Sequence, residues 1–262
     1  MDYQPKIGLA LGAGAARGIA HLGVLKTLAK YKLQVDYIAG TSIGALVGAL
    51  YACGLDVDFL IQFANELRAK SWVDLVLPRT GLISGKKVET MLQILTRNRC
   101  FDELKIPFAA VATDIERGEP VIIKEGNDAA AVRASISIPV IFKPVSMNGR
   151  LLVDGAVVDR VPVSVVREMG AHLIIAVDVN RYVSFQPVRN IVDVMLQTLD
   201  IMEHKILSAT VIDTEVLIRP KVGHISPGHF HRVDELVEAG EEAAEAAISK
   251  IGYILRDRRR KH

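Results

Sequence analysis

The chain has 262 residues, of which 50% are hydrophobic and 24% charged, a composition that fits a soluble globular protein and predicts one domain over residues 1–262. Its formal net charge of +2 is too small to indicate a nucleic-acid partner. The two cysteines, Cys53 and Cys100, give neither a disulfide framework nor a metal-ligand spacing, so we expect a reducing compartment and no metal.

The chain shows no sign of export or of a membrane span. Its first residues, MDYQPKIGLALG, have no basic region before an apolar stretch, which argues against a signal peptide. The longest apolar run, residues 43–55, is shorter than the roughly 20 residues that span a bilayer. We therefore expect a cytoplasmic protein without a transmembrane helix.

Strand-like and helix-like segments alternate along most of the chain. This alternation predicts an α/β fold, a three-layer α/β/α sandwich with a mainly parallel central sheet. The predicted strands are residues 6–11, 37–40, 107–112, 120–123, 151–153, 173–178 and 215–218. The predicted helices are residues 17–30, 42–52, 57–70, 86–96, 163–169, 191–208 and 233–255. Two irregular segments, 71–85 and 221–232, are typical places for lids and binding surfaces.

A glycine-rich loop separates the first predicted strand from the first helix. Its residues are Gly12, Ala13, Gly14, Ala15, Ala16, Arg17 and Gly18. One interpretation is a dinucleotide-binding loop, with Asp36 as the ribose-binding acid, although Arg17 stands where the third glycine belongs. A second is an oxyanion hole, because amides at a helix N-terminus are unpaired and Arg17 adds positive charge. A tight turn that needs glycine is the third. The loop alone leaves all three open.

The second predicted strand runs into the sequence Gly40-Thr41-Ser42-Ile43-Gly44 and then into an apolar helix. This G-x-S-x-G pattern is typical of a nucleophile elbow, which would make Ser42 a nucleophile. A serine hydroxyl needs a base. The histidines that follow it are His172, His204, His224, His229, His231 and His262. The cluster of His224, His229 and His231 stays open as a source of the base, although it has no neighbouring signature. For His21, which precedes Ser42, we expect a role in packing or orienting the glycine loop.

A carboxylate is an alternative base. Asp154 ends a short apolar strand and is followed by the small residues Gly155 and Ala156. Such a strand end has room for another side chain, and a carboxylate can take the serine proton directly. The plain alternative is an Asp-Gly turn.

Taken together, the glycine-rich loop, the G-x-S-x-G pattern and Asp154-Gly155-Ala156 resemble the patatin-like phospholipase family. Similarity continues in three further segments, residues 20–24, 111–114 and 134–145. It covers a motif-bearing core of about residues 6–180, and the helical completion at about 190–256 is similar to the compact bacterial branch of the family.

The resemblance implies a Ser–Asp dyad without histidine, in which Ser42 is the nucleophile and Asp154 its base. It also places oxyanion donors on the backbone around Gly14, Ala15 and Ala16, without a cofactor or metal. The chain departs from the family pattern where Ala13 and Ala15 replace glycines. The implied reaction is hydrolysis of a phospholipid, a lysophospholipid or another fatty acyl ester.

Substrate contacts and rival functions stay open at this stage. The elbow helix and residues 71–85 could line an acyl groove, or they could be core; the apolar candidates there are Trp72, Val73, Leu75, Val76 and Leu77. The basic tail, 256–262, could contact anionic headgroups at the inner membrane face, or be a solvated helix end. The rivals are a non-catalytic binding protein on the same fold, a nucleotide-binding module and a Ser-His-Asp hydrolase.

Overall fold

The structure is a computed structural model that describes residues 4–67, 74, 80–179, 188–189, 191–209 and 213–260. Its strands are β1 (Ile7–Leu11), β2 (Tyr37–Thr41), β3 (Phe108–Asp114), β4 (Glu119–Ile123), β5 (Val145–Met147), β6 (Arg150–Asp154), β7 (Leu173–Val177) and β8 (Val216–Ile218). Its helices are α1 (Ala20–Lys30), α2 (Ile43–Ala52), α3 (Val57–Glu66), α4 (Lys86–Thr96), α5 (Asp128–Ser135), α6 (Val163–Glu168), α7 (Ile191–Ala209) and α8 (Val233–Arg260).

All eight strands belong to one sheet in the order β5-β6-β3-β2-β1-β7-β8, with β4 paired to β3. The pairs β1–β2, β1–β7, β2–β3 and β7–β8 are parallel, whereas β3–β4, β3–β6 and β5–β6 are antiparallel. The predicted α/β sandwich is confirmed, and its sheet is parallel in the centre and antiparallel at one end. Short connections explain the β3–β4 and β5–β6 pairs, because a short turn can join antiparallel strands but not parallel ones.

The core lies on both faces of the sheet. Along β1, Leu9 and Leu11 join the larger apolar cluster, and Ala10 joins the smaller one. The same alternation continues along β7, where Ile174 and Ala176 face the smaller cluster. Alternating side chains point to opposite faces of a strand, so a run that is apolar throughout is buried on both sides.

Strand β3 brings two distant parts of the chain together. Its residue Val111 pairs with Thr41 of β2, and the next residue, Ala112, pairs with Asp154 of β6. Because β4 occupies the opposite edge over Ala110–Asp114, β2 and β6 share one edge of β3. They run in opposite directions there, so their carboxyl ends meet head to head.

Several elements differ from the sequence prediction. Helix α5 and strand β5 were not predicted, and α1 begins at Ala20 after a 3₁₀ turn over Ala15–Ile19 instead of at residue 17. The β5–β6 hairpin turns at Asn148 and Gly149, whose φ angles are 51° and 72°. An Asn-Gly pair is a strong hairpin signal, so the sequence did carry a sign of β5.

The described part of α3 ends at Glu66, and residues 68–70 of its predicted range lie outside the described residues. Within the described ranges, no helix is both long enough and apolar enough to cross a bilayer. That 1–262 forms one domain stays a prediction.

Helices α1 and α8 cross at unusually short range through glycines. A Cβ on Gly23 would lie 2.0 Å from the carbonyl oxygen of Val237, and a Cβ on Gly240 would lie 2.0 Å from that of Ala20. Both neighbours are backbone atoms, which cannot move aside as a side-chain tip can. This crossing ties the C-terminal helix to the first turn of α1, directly after the glycine-rich loop.

Replacing Gly23 with alanine should therefore push α8 away from α1. We expect Gly23→Ala to lower the free energy of unfolding by about 3 kcal/mol, because an added methyl group in a packed contact forces backbone shifts. Urea unfolding followed by circular dichroism measures this change. The matched control is Gly228→Ala, since no atom lies within 4 Å of the position of its Cβ. Equal stability of the two variants would contradict the close crossing.

Candidate active site

Ser42 lies at the turn between β2 and α2, in a strained backbone conformation with φ 56° and ψ −124°. A residue with a side chain adopts positive φ only at a cost of about 1–3 kcal/mol, and such strain concentrates at functional sites. The flanking glycines permit the turn. A Cβ on Gly40 would lie 2.4 Å from the carbonyl oxygen of Gly44, and one on Gly44 would lie 2.2 Å from that of Leu11.

The Ser42 hydroxyl donates a hydrogen bond of 2.6 Å to Oδ2 of Asp154, which is 112 residues away in the sequence. The other carboxylate oxygen, Oδ1, accepts the amide of Ala156 at 2.9 Å. The side chain of Asp154 is thus fixed by one bond on each oxygen. Ser42 is 5% exposed and Asp154 4%, so their hydrogen bond forms almost out of water.

The residues around Asp154 hold its backbone as firmly as its side chain. Its amide donates to the carbonyl of Ser137 at 2.9 Å, and its carbonyl accepts the hydroxyl of Thr113 at 2.9 Å. A Cβ on Gly155 would lie 2.3 Å from the carbonyl oxygen of Val111, so glycine is required where the chain leaves β6 beside β3.

The glycine-rich loop packs against the elbow. A Cβ on Gly18 would lie 2.1 Å from Cγ2 of Ile43, the residue after Ser42, and the carbonyl of Gly12 also lies within 2.8 Å of the position of a Cβ on Gly44. Gly12 and Gly18 therefore lie where the loop contacts the nucleophile turn. The structure brings together the three motifs that the sequence analysis singled out.

The hydrogen bonds of the glycine-rich loop show which of its backbone amides already have an acceptor. The amides of Gly12, Ala13 and Ala16 donate to the carbonyls of Val177, Arg160 and Pro227, each at 3.0 Å. Among the described residues, the amides of Gly14 and Ala15 have no backbone acceptor. The amide of Ala16, which the resemblance included among the donors, is occupied in this structure.

Two residues of the loop carry further information. Ala15 has φ 48°, the left-handed region, which explains why glycine is usual at this position of the family pattern and why alanine is strained there. The Arg17 side chain is fully buried and its Nε donates to the carbonyl of Ile225 at 2.7 Å. Desolvation lowers the pKa of Arg17 from its ordinary value.

The four histidine candidates whose side chains the structure describes have partners away from Ser42. His172 accepts the amide of Lys6 at 2.9 Å, and the exposed His224 bonds Glu235 at 2.7 Å. His229 and His231 are exposed and face each other, with ring centroids 5.3 Å apart. The side chain of His204 and all of His262 lie outside the described residues. Within the described part of the chain, no histidine contacts Ser42.

His21 supports the loop, as we expected from the sequence. Its Nε2 lies 2.8 Å from the carbonyl oxygen of Gly12, inside a fully buried environment. Desolvation lowers the pKa of His21 to about 4, so the ring is neutral at pH 7. A neutral imidazole beside a carbonyl oxygen carries its proton on Nε2 and donates it to Gly12.

Asp36 does not have the environment of a ribose-binding acid. Its Oδ2 accepts the amide of Ile7 at 2.8 Å and so serves the start of β1. The Asp36 carboxylate therefore connects the start of β1 with the segment before β2. The dinucleotide interpretation loses its ribose-binding acid.

The predicted acyl-groove residues, Trp72, Val73, Leu75, Val76 and Leu77, lie outside the described residues. Helix α8 extends through the basic tail as far as Arg260. Within this tail, Arg258 donates a hydrogen bond of 2.7 Å to Glu215, so this cation pairs with a carboxylate of the protein itself.

One group of ligand atoms was not foreseen from the sequence. Cys100, Asp102 and Glu103 place a thiol and two carboxylates within 4.8 Å of one another at the surface. The Glu103 carboxylate accepts the Cys100 amide at 2.8 Å, so capping of a short 3₁₀ turn accounts for their proximity.

The sequence analysis missed the role of Ser135. Its hydroxyl accepts the amide of Ser42 at 2.9 Å and donates to the carbonyl of Val111 at 2.6 Å. The residue lies in a segment of family resemblance, but nothing in the local pattern connects it with a turn 93 residues earlier.

Comparison with known proteins finds a matching family model and similar sequences. A sequence model of the family described as patatin-like phospholipase matches residues 9–167. An uncharacterized NTE family protein of Mycobacterium tuberculosis is 36% identical over 180 residues, which cover 68% of this chain and 50% of that protein. Patatin-like phospholipase domain-containing protein 7 of Mus musculus is 35% identical over 186 residues, which cover 66% of this chain and 13% of that protein.

The crystal structure of VipD from Legionella pneumophila shares the fold. Its TM-score is 0.61 at 12% sequence identity, over 93% of this chain and 67% of VipD. At this identity the likeness concerns the fold alone. The chain spans half or less of the length of the two curated relatives above.

The buried His21 makes stability depend on pH. Between pH 6.5 and about 4 the unfolded chain binds a proton at His21 and the folded chain does not. The stabilisation is therefore complete above pH 6.5 and falls, by up to about 3 kcal/mol, as the pH drops towards 4. Unfolding free energies of wild type and His21→Gln across this range measure it, because glutamine keeps a donor but does not titrate. Parallel curves for the two proteins would contradict the burial of a neutral histidine.

Proposed function

The chain belongs to the patatin-like phospholipase family, and on this premise we propose that it is a serine esterase that hydrolyses a fatty acyl ester of a lipid. The observation that carries the proposal is the buried hydrogen bond of 2.6 Å between Ser42 Oγ and Asp154 Oδ2. It joins a hydroxyl on a strained turn to a carboxylate, and a base is what such a hydroxyl needs to attack an ester.

In the first half of the proposed reaction, Asp154 takes the proton of Ser42 while Oγ attacks the ester carbonyl carbon. The carbonyl oxygen becomes an oxyanion and accepts hydrogen bonds from the amides of Gly14 and Ala15. Each such donor contributes about 10²–10³ in rate, because it is already oriented before the charge develops. The tetrahedral intermediate then expels the alcohol, which receives the proton from Asp154, and leaves Ser42 acylated.

In the second half, water attacks the acyl group on Ser42. Asp154 accepts a proton from this water and returns one to the Ser42 oxygen as the carboxylic acid is released. One carboxylate therefore serves as base and acid in turn, and these steps use no catalytic group from outside the chain. Since Oδ1 stays bonded to the Ala156 amide, Oδ2 is the oxygen that carries the proton.

The substrate class follows from the family. We propose a phospholipid, a lysophospholipid or another fatty acyl ester as substrate, with contact to a membrane surface from which such a lipid is drawn. The name of the mouse relative, which contains the words patatin-like phospholipase domain, supports this class. The rival function is a non-catalytic binding protein on the same fold. Such a protein would not need a serine and a carboxylate held at hydrogen-bond distance.

Covalent labelling tests the nucleophile and the base together. We expect a fluorophosphonate probe to label wild type, not to label Ser42→Ala, and to label Asp154→Asn at least about 100-fold more slowly, because the general base is lost. In-gel fluorescence over time gives these rates. Matched controls are Ser146→Ala and Asp102→Asn, two exposed positions away from the site, which should label like wild type. Persistent labelling of Ser42→Ala would refute the proposal.

Histidine substitution separates a dyad from a triad. We expect the triple variant His224→Ala, His229→Ala, His231→Ala to hydrolyse a nitrophenyl ester at nearly the wild-type kcat, because these exposed side chains do not contact Ser42. Asp154→Asn should lose at least about 100-fold in kcat in the same assay. A loss in the triple variant as large as that in Asp154→Asn would show that a histidine is the base.

A further inference from the structure

We propose that Ser135 is a positioning residue that sets the backbone of the nucleophile and, with its neighbour Ser137, the distance between Ser42 and Asp154. This inference rests on the proposed function and names a residue outside the three motifs. Ser135 ends α5, is fully buried, and does not contact the hydroxyl of Ser42 or the carboxylate of Asp154 in the hydrogen bonds described above.

The first step of the argument is the gap that opens where β2 leaves the sheet. The β2–β3 ladder ends with the pair Thr41 and Val111, and the next residue, Ser42, turns away into the elbow. Its amide still needs an acceptor, because a buried donor without one is costly. The Ser135 hydroxyl fills this gap: it accepts from the Ser42 amide at 2.9 Å and donates to the Val111 carbonyl at 2.6 Å.

The second step is the chemistry of the group that fills the gap. The bridge needs one atom that accepts and donates at once, which a hydroxyl does and a methyl or methylene group does not. Water could do the same, but it would not fix the position of the turn relative to the sheet. Because Ser135 Oγ is attached to the end of α5, the position of this helix determines the position of the Ser42 amide.

The third step concerns the base. Two residues after Ser135, the carbonyl of Ser137 accepts the amide of Asp154 at 2.9 Å. One short turn of the chain thus holds the backbone nitrogen of the nucleophile and that of the base. The turn spans the two strand ends that meet on β3, and it sets their separation independently of the hydrogen bond between the side chains.

The fourth step is the rigidity of the turn itself. The buried guanidinium of Arg133 donates to the Ser137 hydroxyl at 2.5 Å and to the carbonyls of Ser84 and Lys143 at 2.6 and 2.9 Å. It also lies over the Phe142 ring, 5.2 Å from the centroid. Desolvation lowers the pKa of Arg133 from its ordinary value. The turn is therefore anchored to two further segments.

The kinetic consequence can be measured with Ser135→Ala. We expect kcat for a nitrophenyl ester to fall roughly 100-fold with little change in KM, because small displacements of a reacting group have effects of this size. The rate of fluorophosphonate labelling should fall with kcat. Ser135→Thr keeps the hydroxyl and should recover at least about a tenth of the wild-type kcat. If Ser135→Ala does not fold, Ser135→Cys, with its weaker hydrogen bonds, should show an intermediate loss of kcat.

The matched control is Thr214→Val. The half-buried Thr214 hydroxyl donates to the carbonyl of Ile174 at 2.8 Å, near the start of β7 and at the opposite end of the parallel strands from the elbow. We expect this variant to lose stability but to keep the wild-type kcat. A folded Ser135→Ala variant with kcat within about twofold of wild type would overturn the proposal, and so would an equal loss of kcat in Thr214→Val.

Amide hydrogen exchange tests the hydrogen bond between the Ser42 amide and Ser135 without an activity assay. In Ser135→Ala the peptide that contains Ser42 should exchange about tenfold faster than in wild type, since its amide loses a buried acceptor. In Thr214→Val the same peptide should exchange at the wild-type rate. If the probe does not label wild type and wild type hydrolyses no ester, the proposed function fails, but the exchange result still tests the positioning role of Ser135. Unchanged exchange at Ser42 in Ser135→Ala would overturn that role.

Discussion

One edge of β3 determines the site. Because β2 pairs with this edge up to Val111 and β6 pairs with it from Ala112, the carboxyl ends of both strands meet at one point. Backbone hydrogen bonds of a sheet fix such positions to within fractions of an ångström, which a pair of loops could not do. Ser42 follows β2 and Asp154 ends β6, so the sheet is what brings the two residues together.

Around this meeting point the chain uses backbone groups more than side chains. Three amides of the glycine-rich loop bond carbonyls of neighbouring segments, and two are left with no acceptor among the described residues. His21 donates a hydrogen bond to the carbonyl of Gly12, and because its ring is neutral it adds no positive charge near the Asp154 carboxylate. Small residues are needed here because backbone can approach backbone only where no Cβ intervenes. The arrangement concentrates fixed dipoles in a place that excludes most water, where their interactions are strongest.

Much of this could be predicted from the sequence, for a physical reason. The strands are short apolar runs between glycines, and the G-x-S-x-G and Asp-Gly-Ala patterns describe local backbone geometry. The resemblance of these patterns to the family then predicted Ser42 and Asp154 as a pair. The roles of Ser135 and of the Ala16 amide were not, because each depends on a partner far away in the chain. Helix α5 was missed as well, although Asn127 caps it and three alanines follow its first residue. Local patterns predict elements, and packing decides which polar groups meet.

The loop contacts made by the C-terminal region bear on how the protein is made. Arg17 bonds the carbonyl of Ile225, 208 residues later, and Ala16 bonds that of Pro227. Contacts of such sequence separation form late, because the chain between them must first be ordered. During synthesis the loop therefore lacks these two partners until residues 225–227 have left the ribosome. The fold thus delays the final ordering of the glycine-rich loop, although the loop is among the first segments to be made.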